Sequence, residues 1–180
     1  MNLPNDLFIP EKYTYNDYKL WEGNWELING YPIAMSPSPK YTHQSFSGKF
    51  YNKISRVLEN DCGEKCNCEV LFELDWVVDE HTTLRPDIII VCAKIMEDFL
   101  TFPPTLVIEV TSFATQMRDR NTKYNIYEAC GVKYYIMADP DKKTIEVFEL
   151  IDNKYKQTTT TNFVLTDQCS IELDVATLWH

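Results

Sequence analysis

The sequence predicts an α/β fold, and three observations carry that prediction. Two short runs, Asp87-Ile-Ile-Ile-Val-Cys-Ala93 and Thr105-Leu-Val-Ile-Glu-Val-Thr111, are dominated by β-branched residues and suit central strands. A segment after the second run is bounded like a helix: Asp119 can cap its start, and Gly131, directly after Cys130, most easily adopts the left-handed closing conformation. Upstream, Phe46, Phe50, Ile54, Val57 and Leu58 recur at helical spacing, which predicts a long helix over 43–58.

The other elements follow in chain order. Residues 15–21 suit a short helix. Apolar alternation on both sides of Asn29-Gly30 predicts a hairpin over 25–35, because both turn residues tolerate the positive φ of a tight primed turn. Pro37 and Pro39 then break the chain. Residues 69–78 alternate as one half-exposed strand, and 132–138 read as a strand after the capped helix. The Asp139-Pro-Asp-Lys142 turn joins it to a hairpin partner over 144–150, and the C-terminal extension supplies an edge strand around 154–161. No repeat or linker divides the 180 residues, so one domain spanning 1–180 is expected, with its core at about 40–150.

Composition narrows the functional classes. A chain with 44% apolar residues can close a substantial core. Its most apolar run, 87–93, is too short to span a bilayer, and MNLPNDLFIP lacks the basic flank and apolar run of a signal peptide. A cytoplasmic protein without membrane partners is expected. For the same reason the six cysteines are expected to be reduced; Cys62, Cys66 and Cys68 form a C-x3-C-x-C cluster, but no second pair follows at a zinc-finger spacing. The net charge of −10 excludes a protein that coats long stretches of nucleic acid by neutralising phosphates. A local nucleic-acid site remains compatible with it if some acidity serves a metal, and if Arg85, Lys94, Arg118, Arg120, Lys123 and Lys133 gather on one side.

Two carboxylates stand out in this apolar setting. Asp87 opens one β-branched run and Glu109 interrupts the other. A carboxylate in such a strand must reach solvent, pair, or bind a metal, since an unpaired buried charge is very costly. Two of them on neighbouring strands repel, so a divalent cation is the natural third party. Hard oxygen donors suit Mg²⁺ or Mn²⁺, with the Val110 carbonyl as an additional ligand. Asp119, Lys123 and Tyr127 recur every four residues along one helix face, so Lys123 can reach toward that metal. Such a metal site can acidify a water and stabilise charge on a phosphoryl oxygen.

At this point several linked motifs carry a resemblance. Arg85-Pro-Asp87, Val107-Ile-Glu-Val-Thr-Ser112 and Asp119-x3-Lys123-x3-Tyr127-x3-Gly131-Val-Lys-Tyr-Tyr-Ile-Met-Ala-Asp139-Pro140, preceded by Glu26-Leu-Ile-Asn-Gly30 and Met35-Ser-Pro-x-Pro-x3-His43, resemble the Uma-two family of restriction-endonuclease-like proteins. That family belongs to the PD-(D/E)XK nuclease superfamily. The resemblance covers roughly residues 10–150. It implies a restriction-endonuclease-like core, with a mixed sheet flanked by helices and the N-terminal hairpin as an extension. It further implies a Mg²⁺- or Mn²⁺-dependent endonuclease acting on nucleic acid, DNA first. The superfamily lysine normally follows the acidic residue by two positions, where this chain has Thr111; Lys123 from the next helix takes its place in the family pattern.

The expected site is therefore Asp87, Glu109 and Lys123 for catalysis, with Asp87, Glu109 and the Val110 carbonyl on the metal. His43 is an auxiliary proton carrier and Glu26 a further neighbour. The alternative class is a non-catalytic nucleic-acid-binding or protein-interaction module on a nuclease fold, which the acidic balance favours. A homodimer would place two symmetric sites on a duplex, and Trp21, Phe99, Phe102 and Trp179 are expected as exposed apolar residues for its interface.

Overall fold

The protein is described by a computed structural model, which defines residues 11–35, 40–61 and 66–179. Helix α1 (Tyr15–Tyr18) leads into the hairpin of β1 (Trp25–Ile28) and β2 (Tyr31–Ala34). Asn29 and Gly30 turn it with φ of 53° and 85°, as the Asn-Gly signal predicts. Gly30 has a second reason to lack a side chain, because a Cβ there would lie 2.8 Å from Lys12 Cβ. Helix α2 (Tyr41–Asp61) follows, and then five strands: β3 (Glu69–Phe72), β4 (Trp76–Asp79), β5 (Thr82–Leu84), β6 (Ile88–Val91) and β7 (Leu106–Val110).

The helical segment after β7 begins with α3 (Gln116–Arg118), widens into a π-helical stretch over Asp119–Lys123, and ends as α4 (Tyr124–Cys130). Gly131 closes it with φ 81°. The remaining strands are β8 (Tyr134–Asp139), β9 (Thr144–Ile151), β10 (Lys154–Thr158), β11 (Asn162–Thr166) and β12 (Cys169–Glu172), followed by a 3-10 turn over Val175–Trp179. Among the described residues, no helix is long and apolar enough to cross a membrane.

The central sheet has six strands in the order β10-β9-β8-β7-β6-β3, and the N-terminal hairpin belongs to a four-stranded sheet, β2-β1-β5-β4. The predicted α/β class is therefore correct. The central sheet is mixed: β7 and β8 run parallel, joined by the helical crossover, while its other pairs are antiparallel. Strands β6, β7 and β8 are buried along their whole length, which is why they read as continuous apolar runs rather than as alternations.

One face of this sheet, with Ile88, Ile90, Leu106, Ile108 and Ile136, packs against Phe46, Phe50, Ile54 and Leu58 of α2 and against Phe163, Leu165 and Ile171 of the β11–β12 hairpin. The other face, with Ile89, Val91, Val107, Tyr135 and Met137, packs against Tyr127 of α4, Trp76 and Leu84. Each such side chain contributes about 1.5–3 kcal/mol of apolar burial, so both layers are needed to offset the chain entropy of ordering the sheet.

Several expectations are corrected. The stretch 69–78 is two strands in different sheets, because Glu73, with φ 43°, turns the chain between β3 and β4. The chain after 158 does not stop at an edge strand but forms the β11–β12 hairpin against α2. Asp119 does not cap a helix, since the helix has begun at Gln116 and Asp119 is buried inside it. The cysteines are not all free thiols: Cys66 is bonded to Cys169 and Cys68 to Cys92, while Cys130 is free. Cys62, Pro37 and Pro39 lie outside the described residues. Trp21, Phe99, Phe102 and Trp179 are half-buried rather than exposed. Trp21 packs edge-on against Tyr13, Tyr18 and Trp25, Phe99 packs on Tyr15, and Trp179 stacks on Phe46.

Candidate active site

Strand register brings the two singled-out carboxylates together. Ile88 of β6 lies opposite Ile108 of β7, so one step further places Asp87 across from Glu109. Directly opposed residues of an antiparallel pair share a face at short range. Asp87 Oδ2 accepts the Val110 N–H at 2.7 Å, which fixes the strand ends against each other.

Below them is a buried ionic cluster. Lys123 Nζ lies 2.8 Å from Glu109 Oε1 and 2.8 Å from Glu26 Oε1, and all three residues are at most 3% exposed. Tyr127 donates its hydroxyl to Glu109 Oε1 at 2.6 Å, so the helix face predicted from the 119–123–127 spacing does meet the strand carboxylate. Glu26 Oε1 also accepts the Arg85 N–H at 3.0 Å, and Arg118 Nε stands 3.5 Å from Glu26 Oε2. In the π-helical stretch the Asp119 carbonyl accepts the Tyr124 N–H and also the Tyr135 hydroxyl, at 3.1 Å.

The electrostatics follow from burial. For Lys123 burial alone would lower the pKa, but the charges of Glu109, Glu26 and Asp119 outweigh it and hold the ammonium protonated far above the ordinary range. Burial raises the Glu109 carboxyl; Lys123 opposes that rise, while Asp87, Asp119 and Glu26 add to it. Asp119 is likewise raised by burial, against Lys123 and a hydrogen bond from Thr115. Four carboxylates thus crowd around two fixed cations, Lys123 and Arg118.

His43 approaches from the other side of the sheet. It lies near the start of α2, with Nε2 3.3 Å from Asp87 Oδ2. Burial would lower its pKa, yet the Asp87 hydrogen bond and charge, then Glu73 and the backbone of Val110, leave it raised. The Asp87 and His43 side chains stay partly exposed, and they open on a cavity of about 260 Å³ lined also by Gln44, Ser47, Gly48, Phe72 and Glu73. Asp87 therefore sits where two layers meet, with His43 on one side and the Lys123 cluster on the other.

The structure thus brings together Asp87, Glu109, Lys123, Glu26 and His43, and the Val110 backbone lies among them. It does not gather the other basic residues freely. Arg85 is paired with Asp75 and Arg120 with Glu146, while Lys133 donates to the Val164 carbonyl. Sequence reasoning missed Glu73, which reaches the cavity only because the chain reverses there. Of the basic residues expected to gather there, Arg118 does reach the cluster, through its contact with Glu26.

This geometry can be set beside known proteins. A family profile described as "Putative restriction endonuclease", Uma2, matches residues 15–179. The chain belongs to the Uma2 family. A solved structure from Anabaena variabilis ATCC 29413, described as a "putative nuclease belonging to DUF820", superposes on this Uma2 chain with a TM-score of 0.71 at 15% identity, covering 92% of this chain and 97% of that one. At that identity the likeness shows a shared fold. No curated protein matches the chain. The Uma2 assignment and the nuclease-like fold both agree with the resemblance read from the motifs.

Proposed function

We propose that this Uma2 protein is a Mg²⁺- or Mn²⁺-dependent endonuclease that hydrolyses nucleic-acid phosphodiester bonds, most directly those of DNA. The observation that carries the reading is the register-opposed pair Asp87 and Glu109, backed by the Lys123 ammonium buried against Glu109. The residues fit a hard divalent cation. Both hydrogen bonds to Asp87 use Oδ2 and both to Glu109 use Oε1, which leaves one oxygen of each outside those bonds. The Val110 carbonyl is a third hard donor in reach of the same place. Glu26 Oε2 makes no hydrogen bond and faces Arg118 at 3.5 Å, and the acidic excess around Asp87 and Glu109 favours a cation nearby.

When bound, the cation supplies Lewis-acid stabilisation of charge on the phosphoryl group. The chain's own residues do the rest. Lys123, buried beneath Glu109, opposes the rise that burial imposes on that carboxyl and holds it in place, so it is a positioning residue rather than one that touches substrate. Tyr127 fixes the same oxygen. His43, at the cavity mouth and within reach of Asp87, is placed to accept or return a proton during water attack. Cutting both strands of a duplex is served most simply by two symmetric copies, so a homodimer belongs to the reading.

The test is Mg²⁺ binding by calorimetry together with plasmid nicking, on wild type and on Asp87→Ala and Glu109→Ala. Metal binding and nicking that vanish together in the variants support the reading. Asp87→Ala that nicks at the wild-type rate overturns it. The net charge of −10 favours a second reading, a non-catalytic module on the same fold. That module predicts no Mg²⁺ uptake by wild type, even with duplex present.

A further inference from the structure

Away from the acidic corner, the fold collects four cysteines from three distant parts of the chain. Cys66 and Cys68 precede or sit beside the edge strand β3, Cys92 directly follows β6, and Cys169 opens β12. Their sulfurs form one nest. Cys66 is bonded to Cys169 and Cys68 to Cys92, and the two pairs touch, with Cys68 Sγ 3.9 Å from Cys169 Sγ. The sulfurs of Cys66, Cys68 and Cys169 all lie within 4.8 Å of one another. Cys169 is buried, and the other three are half-buried against the α2-side core.

We propose that these four cysteines, once reduced, form a tetrathiolate site for one zinc ion. Zinc–thiolate bonds of about 2.3 Å in a tetrahedron put neighbouring sulfurs roughly 3.8 Å apart. The Cys68–Cys169 separation already matches that edge. Cys66 and Cys169 need only to open to the same spacing, and Cys92, bonded to Cys68 but outside that group of three, must turn in toward them by side-chain rotation. Four soft thiolates select zinc over the hard cations proposed for Asp87 and Glu109. The redox step balances simply: a thiol or phosphine reductant delivers two electrons to each disulfide, two protons give each pair of thiols, and zinc binding releases the four thiol protons. The site is structural, because Cys92 is five residues along the strand from Asp87, roughly 16 Å at strand rise. It would fasten the ends of β3 and β6 to the C-terminal hairpin.

The test uses the full chain with Cys62→Ser and Cys130→Ser, so that only these four thiols remain. The protein is reduced with a phosphine, freed of reductant without oxygen, and titrated with Co²⁺ and then Zn²⁺. Expected are the visible bands of tetrahedral thiolate-bound cobalt, saturating at one ion per chain, displacement by Zn²⁺, and loss of thiol alkylation when zinc is bound. The bands should persist in Asp87→Ala and Glu109→Ala, which separates this site from the proposed catalytic one. Cys169→Ser should lose the four-sulfur spectrum, and circular dichroism tells that loss from misfolding. Wild-type-like thiols that give no cobalt bands, or that stay fully alkylatable with zinc present, overturn the proposal and leave two disulfides as the only partnership.

Discussion

The two faces of the central sheet are built from the same strands but do different work. Strand β7 sends Ile108 and Val110 toward α2, into a layer closed by Phe46, Phe50 and Ile54 and by the C-terminal hairpin. Its alternate residues, Val107 and Glu109, face α4, where Lys123 and Tyr127 meet the carboxylate. The first face is held by apolar burial, with the Cys66–Cys169 and Cys68–Cys92 disulfides packed against it. The second buries an ionic cluster whose desolvation is offset only while every partner is present. The buried carboxylate–lysine cluster thus lies on one side, while His43 reaches Asp87 from the other.

Five substitutions sharpen or break that contrast. Glu109→Gln keeps an acceptor for Lys123 and Tyr127 but removes charge, so metal-dependent nicking should fall by at least about 10²–10³-fold with the fold retained. Lys123→Met leaves Glu26 and Glu109 buried without their cation, and should cost about 3–5 kcal/mol in denaturant melts as well as the activity. Phe50→Ala, on the apolar face, should cost about 3–5 kcal/mol while nicking per folded molecule stays at wild type. If Phe50→Ala instead loses activity selectively, the division between faces fails. Tyr127→Phe removes one hydroxyl from Glu109 and should cost about 1 kcal/mol, visible as a small shift in the melting midpoint.

The smallest effect is expected at Asp139, at the end of β8. Burial raises its pKa, but the Lys142 side chain and backbone outweigh that and leave it lowered from 3.8. A lowered folded pKa gives stability that is present above the unfolded value and lost as pH falls through the folded one. Asp139→Asn should therefore cost under about 1 kcal/mol at neutral pH, since Lys142 is largely exposed. The difference from wild type should shrink as pH drops below 3.8. Melts across an acid series check it.

Much of the contrast was legible in the residues. The Asn29-Gly30 turn, the β-branched runs of β6 and β7 and the Gly131 stop are local signals, set by φ preferences and apolar runs. Asp87, Glu109 and Lys123 were legible because charge inside such runs requires a partner. Glu26 was visible only through the family motif, since its hairpin position also suits an exposed residue; burial at Lys123 is decided by packing across sheets.

The sequence by itself determined the α/β class, the order of its central elements and the acidic pair, because those depend on contacts close along the chain or on solvation rules for single residues. Only the tertiary structure decided the turn at Glu73, the burial of Asp119 within a widened helix, the β11–β12 hairpin and the cysteine nest. Each of these depends on segments far apart in sequence, Cys66 and Cys169 by 103 residues. No local spacing records such a meeting; it comes into being when the sheet closes and brings the ends of its strands together.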